Sequence, residues 1–380
     1  NKSNKLNMKN IKKILIANRG EISCRVISTC RALGIKTVTI YNQGEENLPH
    51  VSHSDEAVCL GNGPLSETYL NQNLLLEIAK NHQVCAIHPG YGFLSENAEF
   101  CRRITEQGFI FIGPSPESMI LMGDKKESKI EMEKLAIPLV PGFHGKEQGA
   151  KTLKKEGIKI GFPILIKATA GGGGKGMRIV NQAIEFIEAL DSAKREAMNA
   201  FGNNQVLLEK YIESPKHIEI QVFSDSKGNH LHLYERECSI QRRYQKIIEE
   251  SPSPALSAQL RKEMTEMAVK ISSGINYLGA GTIEFMLDTD SQFYFLEMNT
   301  RLQVEHPVTE FVTGQDLVEW QIIVAEGKEL PLKQQEIRQH GHAIEVRIYA
   351  EDPDNEFLPS IGTLTNIGHS SITGVRCDIG

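Results

Sequence analysis

The chain of 380 residues has no basic excess: 42 Lys and Arg stand against 48 Asp and Glu, for a formal net charge of −6. It therefore lacks the charge that holds nucleic acid through its phosphates, although a local basic pocket for a small anion stays open. No CxxC occurs, and the seven cysteines, Cys24, Cys30, Cys59, Cys85, Cys101, Cys238 and Cys377, are scattered. With this odd number and spacing, neither a disulfide framework nor a thiolate zinc site is indicated, and reduced thiols in the cytoplasm are the favoured reading. The close pairs His50 with His53, His230 with His232 and His340 with His342 have no further ligands beside them, so they read as surface or strand histidines. No apolar run reaches the roughly 20 residues of a membrane span. The opening NKSNKLNMKN lacks an apolar stretch, which argues against a signal peptide and leaves Met8 as a natural initiator. What remains is 40% hydrophobic and 24% charged, the make-up of a globular protein long enough for two or three cores.

The first hundred residues alternate short apolar runs with helical patterns. Ile14-Leu15-Ile16-Ala17 reads as a buried strand, Arg19 to Leu33 as a helix stopped by Gly34, Lys36 to Tyr41 and Val84 to Ile87 as further strands. This rhythm predicts a parallel sheet with helices on both faces, and ligands at the C-terminal strand ends. The segments ANRGE (17–21) and HPGYGFLSEN (88–97) directly follow strands and are candidate site loops. Prolines at 114, 116, 138 and 141 mark a domain boundary. A second unit runs to about residue 320–330, with a compact stretch at about 140–212, and a third begins near Gly341.

Residues 171–176 read GGGGKG. The sequence contains GxGxxG, but Met177-Arg178-Ile179-Val180 after it is a strand pattern, where a dinucleotide fingerprint needs a helix. Gly176 stands where a P-loop needs Ser or Thr. The better reading is a hairpin loop whose bare N–H groups, at Gly172, Gly173 and Gly174 among others, close over phosphates. Lys167, in the apolar strand before the loop, calls for an anionic partner, which a phosphate supplies.

Gly281 to Leu287 and Phe293 to Asn299 are strand patterns around the turn residues Asp288-Thr289-Asp290-Ser291. A turn centred between Asp290 and Ser291 sets Glu284 directly against Glu297. Like charges so opposed are destabilising, and a divalent cation with hard oxygen ligands, Mg²⁺ or Mn²⁺, converts that repulsion into binding. Period two continues the face through Asn299, Arg301 and Gln303: metal ligands, then an amide, a guanidinium and an amide. That order suits a metal-bound polyphosphate beside a small anionic acceptor.

These residues, together with MGDK (122–125), EKY (209–211), HIEIQ (217–221), ECSIQRR (237–243), EMNTRLQVEHP (297–307) and RIYAEDP (347–353), resemble biotin carboxylase from about Ile11 to Gly380. The resemblance implies an ATP-grasp fold of mixed α/β and α+β class. A Rossmann-like N-terminal domain would span 11–124 and an ATP-grasp domain 125–330, with a mobile lid at about 140–212. A C-terminal domain would begin at 341 and be cut short at 380.

The resemblance also implies roles. Lys125, Lys167, Glu209, Lys210, His217 and Gln241 would hold ATP, with Ile212 and Met286 bracketing the base. Glu284, Glu297 and Asn299 would bind Mg²⁺ or Mn²⁺. Lys246, Arg301, Gln303 and the Val304 backbone would cradle bicarbonate, and Glu305 would deprotonate it. Arg347 would stabilise the enolate of biotin carried on another domain. Implied partners are a biotin carboxyl carrier domain and a carboxyltransferase subunit, in a homo- or hetero-oligomer, with no nucleic acid or membrane. Tyr244 replaces the histidine common in the family, which points to altered phosphate contacts. The segment 374–380 is closer to the α subunits of methylcrotonyl- or propionyl-CoA carboxylases than to the free-standing bacterial enzyme. Alternatives are another ATP-grasp ligase, such as a carbamoyl-phosphate synthetase half, and a catalytically silent nucleotide-binding scaffold.

Overall fold

The structure is a computed structural model, and it describes residues 10–169, 176–242, 245–366, 368 and 372–380. The glycines 172–174 and Tyr244, singled out above, lie outside the described residues.

The N-terminal strands Lys13–Ile16, Lys36–Tyr41, Glu56–Cys59, Ala86–His88 and Ile110–Phe111 form a five-stranded parallel sheet. Its spatial order is third, second, first, fourth, fifth, so the chain reverses direction across the sheet between the first and fourth strands. Period two splits the first strand's side chains. Ile14 and Ile16 pack with Ile22 and Val26 of the helix Gly20–Ala32, and Leu15 packs on the other face with Leu75, Leu76 and Phe100. The expected strand at 84–87 forms two residues later, at Ala86–His88. His50 departs from the sequence reading. It is fully buried, its Nε2 3.3 Å from the carbonyl of Ile40.

The central sheet has six antiparallel strands, in the order Phe293–Asn299, Gly279–Leu287, Lys216–Ser224, His230–Arg242, Gln245–Ser251 and Ala343–Val346. One face is apolar: Ile218, Ile220, Val222, Ile283 and Phe285 pack against the helix Ala258–Gly274 through Met264, Ala268 and Ile271. The alternate residues, Glu219, Gln221, Thr282 and Glu284, form a polar face that is also buried. Buried polar groups are tolerable only when paired, so this face must be hydrogen-bonded or liganded throughout. Its last strand, Ala343–Val346, comes from the segment that opens the expected third unit and pairs with Gln245–Ser251.

A four-stranded sheet occupies the region expected as a lid. Gly142–Phe143, Val206–Lys210, Ile164–Ala168 and Arg178–Val180 are neighbours in that order. Ile164–Ala168 and Arg178–Val180 are antiparallel, the hairpin expected around the glycine loop. The helices Ala150–Ile160 and Phe186–Phe201 pack on this sheet through Leu153, Phe186 and Leu190, giving it a core of its own. Among the described residues, no helix is long and apolar enough to cross a membrane.

Candidate active site

Glu284 and Glu297 oppose each other across the hairpin, as read from the sequence. The route to that register differs. Leu287 faces Phe293 next to the turn, and one extra residue at Leu296 bulges before Glu297 meets Glu284. The strand also ends at Asn299. Thr300 to Glu305 form an irregular turn into the helix His306–Thr313, with Leu302 buried beneath it. Arg301 and Gln303 therefore do not extend the face by strand periodicity. They reach it from the turn: Arg301 donates to Asn299 Oδ1 at 3.1 Å, and Gln303 Nε2 to Glu284 Oε1 at 2.9 Å.

Lys246 is the hub of the polar face. Its ammonium contacts Glu219 at 2.5 Å, Glu305 at 2.7 Å and Glu284 at 2.8 Å. Burial opposes its charge, but the three carboxylates outweigh burial and hold its pKa well above the ordinary lysine value. Glu284 also lies 2.7 Å from His217 Nε2 and accepts from Asn299 Nδ2 at 2.7 Å. Burial alone would raise its pKa; Lys246 and His217 reverse this and hold it ionised. Glu297 differs. Burial first, then the charge of Glu284, raises its pKa, and it has no side-chain hydrogen bond among the described residues. Two carboxylates and an amide oxygen, one carboxylate without a hydrogen bond, form a hard-oxygen donor set that fits Mg²⁺ or Mn²⁺.

Glu305 accepts from Lys246 and, through its other oxygen, from Arg347 at 2.8 Å. Arg347 also donates to Glu249 at 2.7 Å. Val304 lies in the turn between Gln303 and Glu305.

Toward the small sheet, Lys167 meets an anionic partner, and that partner is a protein group. The buried Glu209 carboxylate is ion-paired to both Lys167 and Lys129. Burial first, then neighbouring ammonium groups, pulls Lys129 down to about 7 and Lys167 to about 8; Lys125 is a repelling neighbour of both. Two lysines on one carboxylate, with a third lysine beside them, leave an excess of positive charge that suits a polyanion. Lys125 also lines a cavity of about 490 Å³ with Glu96, Thr169 and Gln205. His217 pairs through Nδ1 with Gln241 Nε2 at 2.9 Å. Burial disfavours its charge, yet Glu284 raises its pKa overall. Met286 sits opposite His217 on the neighbouring strand, and Ile212 is half-buried just after Lys210. The Lys210 side chain does not join the cluster. Its ammonium donates to the carbonyls of Gly161 and Phe162 at 2.9 and 3.0 Å, because it alternates with Glu209 and points to the other face.

The two N-terminal loops meet at the point where the sheet order reverses, where α/β sheets bind ligands. Asn18 Nδ2 donates to the carbonyls of Pro89 and Tyr91 at 2.8 and 2.7 Å. Glu96, at the end of the second loop, accepts from Thr300 N at 3.1 Å and Arg301 Nε at 3.0 Å, and so ties this domain to the site. Sequence reasoning assigned no role to Glu96, Lys129, Glu219, Arg236 or Glu249. Glu96 and Glu219 do lie inside the motifs quoted above, but their strand and loop partners are remote in sequence.

A parallel N-terminal sheet, a central antiparallel sheet with a buried polar face, and a small glycine-loop sheet beside it define an ATP-grasp fold. Residues 10–119 match the family profile "Biotin carboxylase, N-terminal domain", and residues 124–333 match "Carbamoyl-phosphate synthase L chain, ATP binding domain". Biotin carboxylase from Nostoc is 51% identical over 96% of this chain and 82% of its own length. Methylcrotonoyl-CoA carboxylase subunit alpha of Dictyostelium discoideum is 52% identical over 95% of this chain and 52% of its own. The chain thus spans about half the length of the carboxylase α subunits it matches. The crystal structure of a Campylobacter jejuni biotin carboxylase–beta-gamma-ATP complex superposes with a TM-score of 0.88 at 47% identity, covering 92% of this chain and 78% of that one. The biotin carboxylase domain of Hydrogenobacter thermophilus 2-oxoglutarate carboxylase, with MgADP and bicarbonate, gives 0.88 at 47%, covering 98% and 85%. The chain belongs to the biotin carboxylase family.

Proposed function

We propose that this chain carries out the first half-reaction of an acyl-CoA carboxylase: ATP- and bicarbonate-dependent carboxylation of biotin on a carrier domain. The observation that carries this reading is Lys246, Glu305 and Arg347 converging over the carboxylate floor, next to the lysine cluster at Glu209.

Lys125, Lys167, His217 and Gln241 would hold ATP, with the glycine loop 172–174 over its phosphates, Glu209 at the adenine end, and Ile212 and Met286 against the base. Lys210 would act there through its backbone, since its ammonium is engaged elsewhere. Glu284, Glu297 and Asn299 would hold Mg²⁺ or Mn²⁺, which when bound neutralises charge on the triphosphate. Lys246 would exchange carboxylate contacts for bicarbonate, and Arg301, Gln303 and the Val304 N–H would orient it. Glu305 takes the bicarbonate proton, and the oxyanion displaces ADP from the γ-phosphorus to give carboxyphosphate. Its breakdown yields CO₂ and phosphate. The phosphate takes the biotin ureido proton, and Arg347 steadies the enolate while carbon bonds to nitrogen. The small sheet would exclude water, which would otherwise hydrolyse the intermediate.

The partners proposed are a biotin carboxyl carrier domain and a carboxyltransferase subunit, in a homo- or hetero-oligomer; the relatives are named as subunits or chains of such carboxylases. The free cysteines suit a reducing compartment, and we place the protein in the cytoplasm; relatives named mitochondrial make the mitochondrion the competing assignment.

The test is ATP cleavage by the full-length protein with and without bicarbonate and free biotin. ADP release should require bicarbonate and rise with biotin. Glu305→Gln should bind Mg-ATP normally and lose turnover by about 100-fold or more. Bicarbonate-independent cleavage would favour another ATP-grasp ligase, and binding without turnover would favour a scaffold.

A further inference from the structure

Arg236 lies mid-strand in His230–Arg242, on the buried polar face, and is 0% exposed. A guanidinium has five N–H donors and no acceptor. All five are taken. Nε donates to Glu219 Oε1 at 2.5 Å, one terminal nitrogen to Gln221 Oε1 at 2.8 Å and Thr309 Oγ1 at 3.0 Å, the other to Thr282 Oγ1 at 3.1 Å and Gln303 Oε1 at 2.7 Å. The acceptors belong to two neighbouring strands, the turn before the helix His306–Thr313, and that helix itself.

Resting on the reading above, we propose that Arg236 is a positioning residue for bicarbonate, acting through Gln303 and Glu219. An amide side chain can exchange its oxygen and nitrogen with little change of shape. Arg236 holds the oxygen of Gln303, so the NH₂ must point away from it, now to Glu284 at 2.9 Å and, with substrate bound, toward an anion's oxygen. Glu219 is two-sided in the same way. One oxygen is held by Arg236, and the other receives Lys246 at 2.5 Å. Arg236 thus sets which way two bicarbonate-binding donors face without touching substrate. A lysine keeps the charge but offers three donors from one atom and cannot span the fork. Removing the charge altogether would leave Glu219 buried beside fewer cations, a loss that is mainly structural.

The experiment is a double-mutant cycle of Arg236→Lys and Gln303→Ala in the full-length protein, read as KM for bicarbonate, KM for ATP and kcat in bicarbonate-dependent ATP cleavage. Arg236→Lys should raise the bicarbonate KM about 10-fold or more, the effect of one misplaced hydrogen bond to a charged group, and change the ATP KM by less than about 3-fold. In the Gln303→Ala background it should add less than about 3-fold to the bicarbonate KM, because the amide it orients is gone and the lysine still sets a cation beside Glu219, which keeps the Lys246 arm in place. Additive effects, or equal rises in both KM values, would overturn the positioning role while leaving the proposed function standing. A wild-type protein indifferent to bicarbonate would overturn both. If Arg236→Lys does not fold, Thr309→Val releases the guanidinium on the helix side, outside the reaction machinery. Its smaller rise in bicarbonate KM should also vanish with Gln303→Ala, and a rise that persists would count against the proposal.

Discussion

Glu297→Gln should make the ligand-free protein more stable and remove its response to metal. Glu284 and Glu297 face each other on adjacent antiparallel strands, at a Cβ separation of about 5 Å. Two unit charges at that distance repel by about 3 kcal/mol at an effective dielectric constant of about 20. Lys246 and His217 lie against Glu284 and offset part of this. A net penalty of ~1–2 kcal/mol remains with both groups ionised. Glu297 has no side-chain hydrogen bond among the described residues, so an amide in its place forfeits no such partner. The variant's Tm should rise by about 1–4 °C at pH 8 without metal. Mn²⁺ or Mg²⁺ should raise the wild-type Tm, because a ligand of the folded state alone stabilises it, and should leave the variant unmoved. Thermal melts of both proteins with and without metal read both effects. A metal-free variant no more stable than wild type, still responding to Mn²⁺, would refute both the repulsion and the metal assignment.

Lys129→Met, which removes one cation from the lysine cluster at Glu209, should weaken Mg-ATP binding by about 10-fold, the worth of one hydrogen bond to a charged group; an unchanged Kd by calorimetry would exclude Lys129 from the nucleotide site. Arg347→Ser should spare ADP release and depress carboxylation of free biotin; equal losses in the two assays would contradict its role beside the ureido group. Glu345 and Glu249 face each other across strands, and each keeps one buried oxygen without a partner. Burial, then Glu249, lifts Glu345 from 4.5 to about 9, while burial, against the pull of Arg347, lifts Glu249 to about 7. The folded state therefore keeps protons that the unfolded chain releases, and stability falls as pH rises from about 5 to 9. Glu345→Gln should flatten that decline, and a variant whose Tm follows the wild-type slope would show that Glu345 titrates normally.

What could be read locally came through. Apolar alternation announced the strands at Lys36–Tyr41 and Phe293–Asn299, and the pairing of Glu284 with Glu297 was read correctly, although the bulge at Leu296 that brings them together was not. The hairpin around the glycine loop was legible because strand patterns flank it on both sides. Those inferences need only a periodicity and a turn, both properties of a few consecutive residues. The motifs that resemble biotin carboxylase supplied the rest of the proposed site.

Tertiary structure decided what depends on which strands become neighbours. Arg236 finds Gln303, and Lys246 finds Glu219 and Glu284, because Lys216–Ser224 lies between Gly279–Leu287 and His230–Arg242 in one sheet. It also brought Lys129 and Lys167 to Glu209, and ended the strand at Asn299 so that Arg301 and Gln303 arrive from a turn. The polar alternation of these strands would equally suit a face turned to water. Only the packing of distant segments over it removes the solvent, and with the solvent gone each buried charge must find its partner in the protein or in a bound ion.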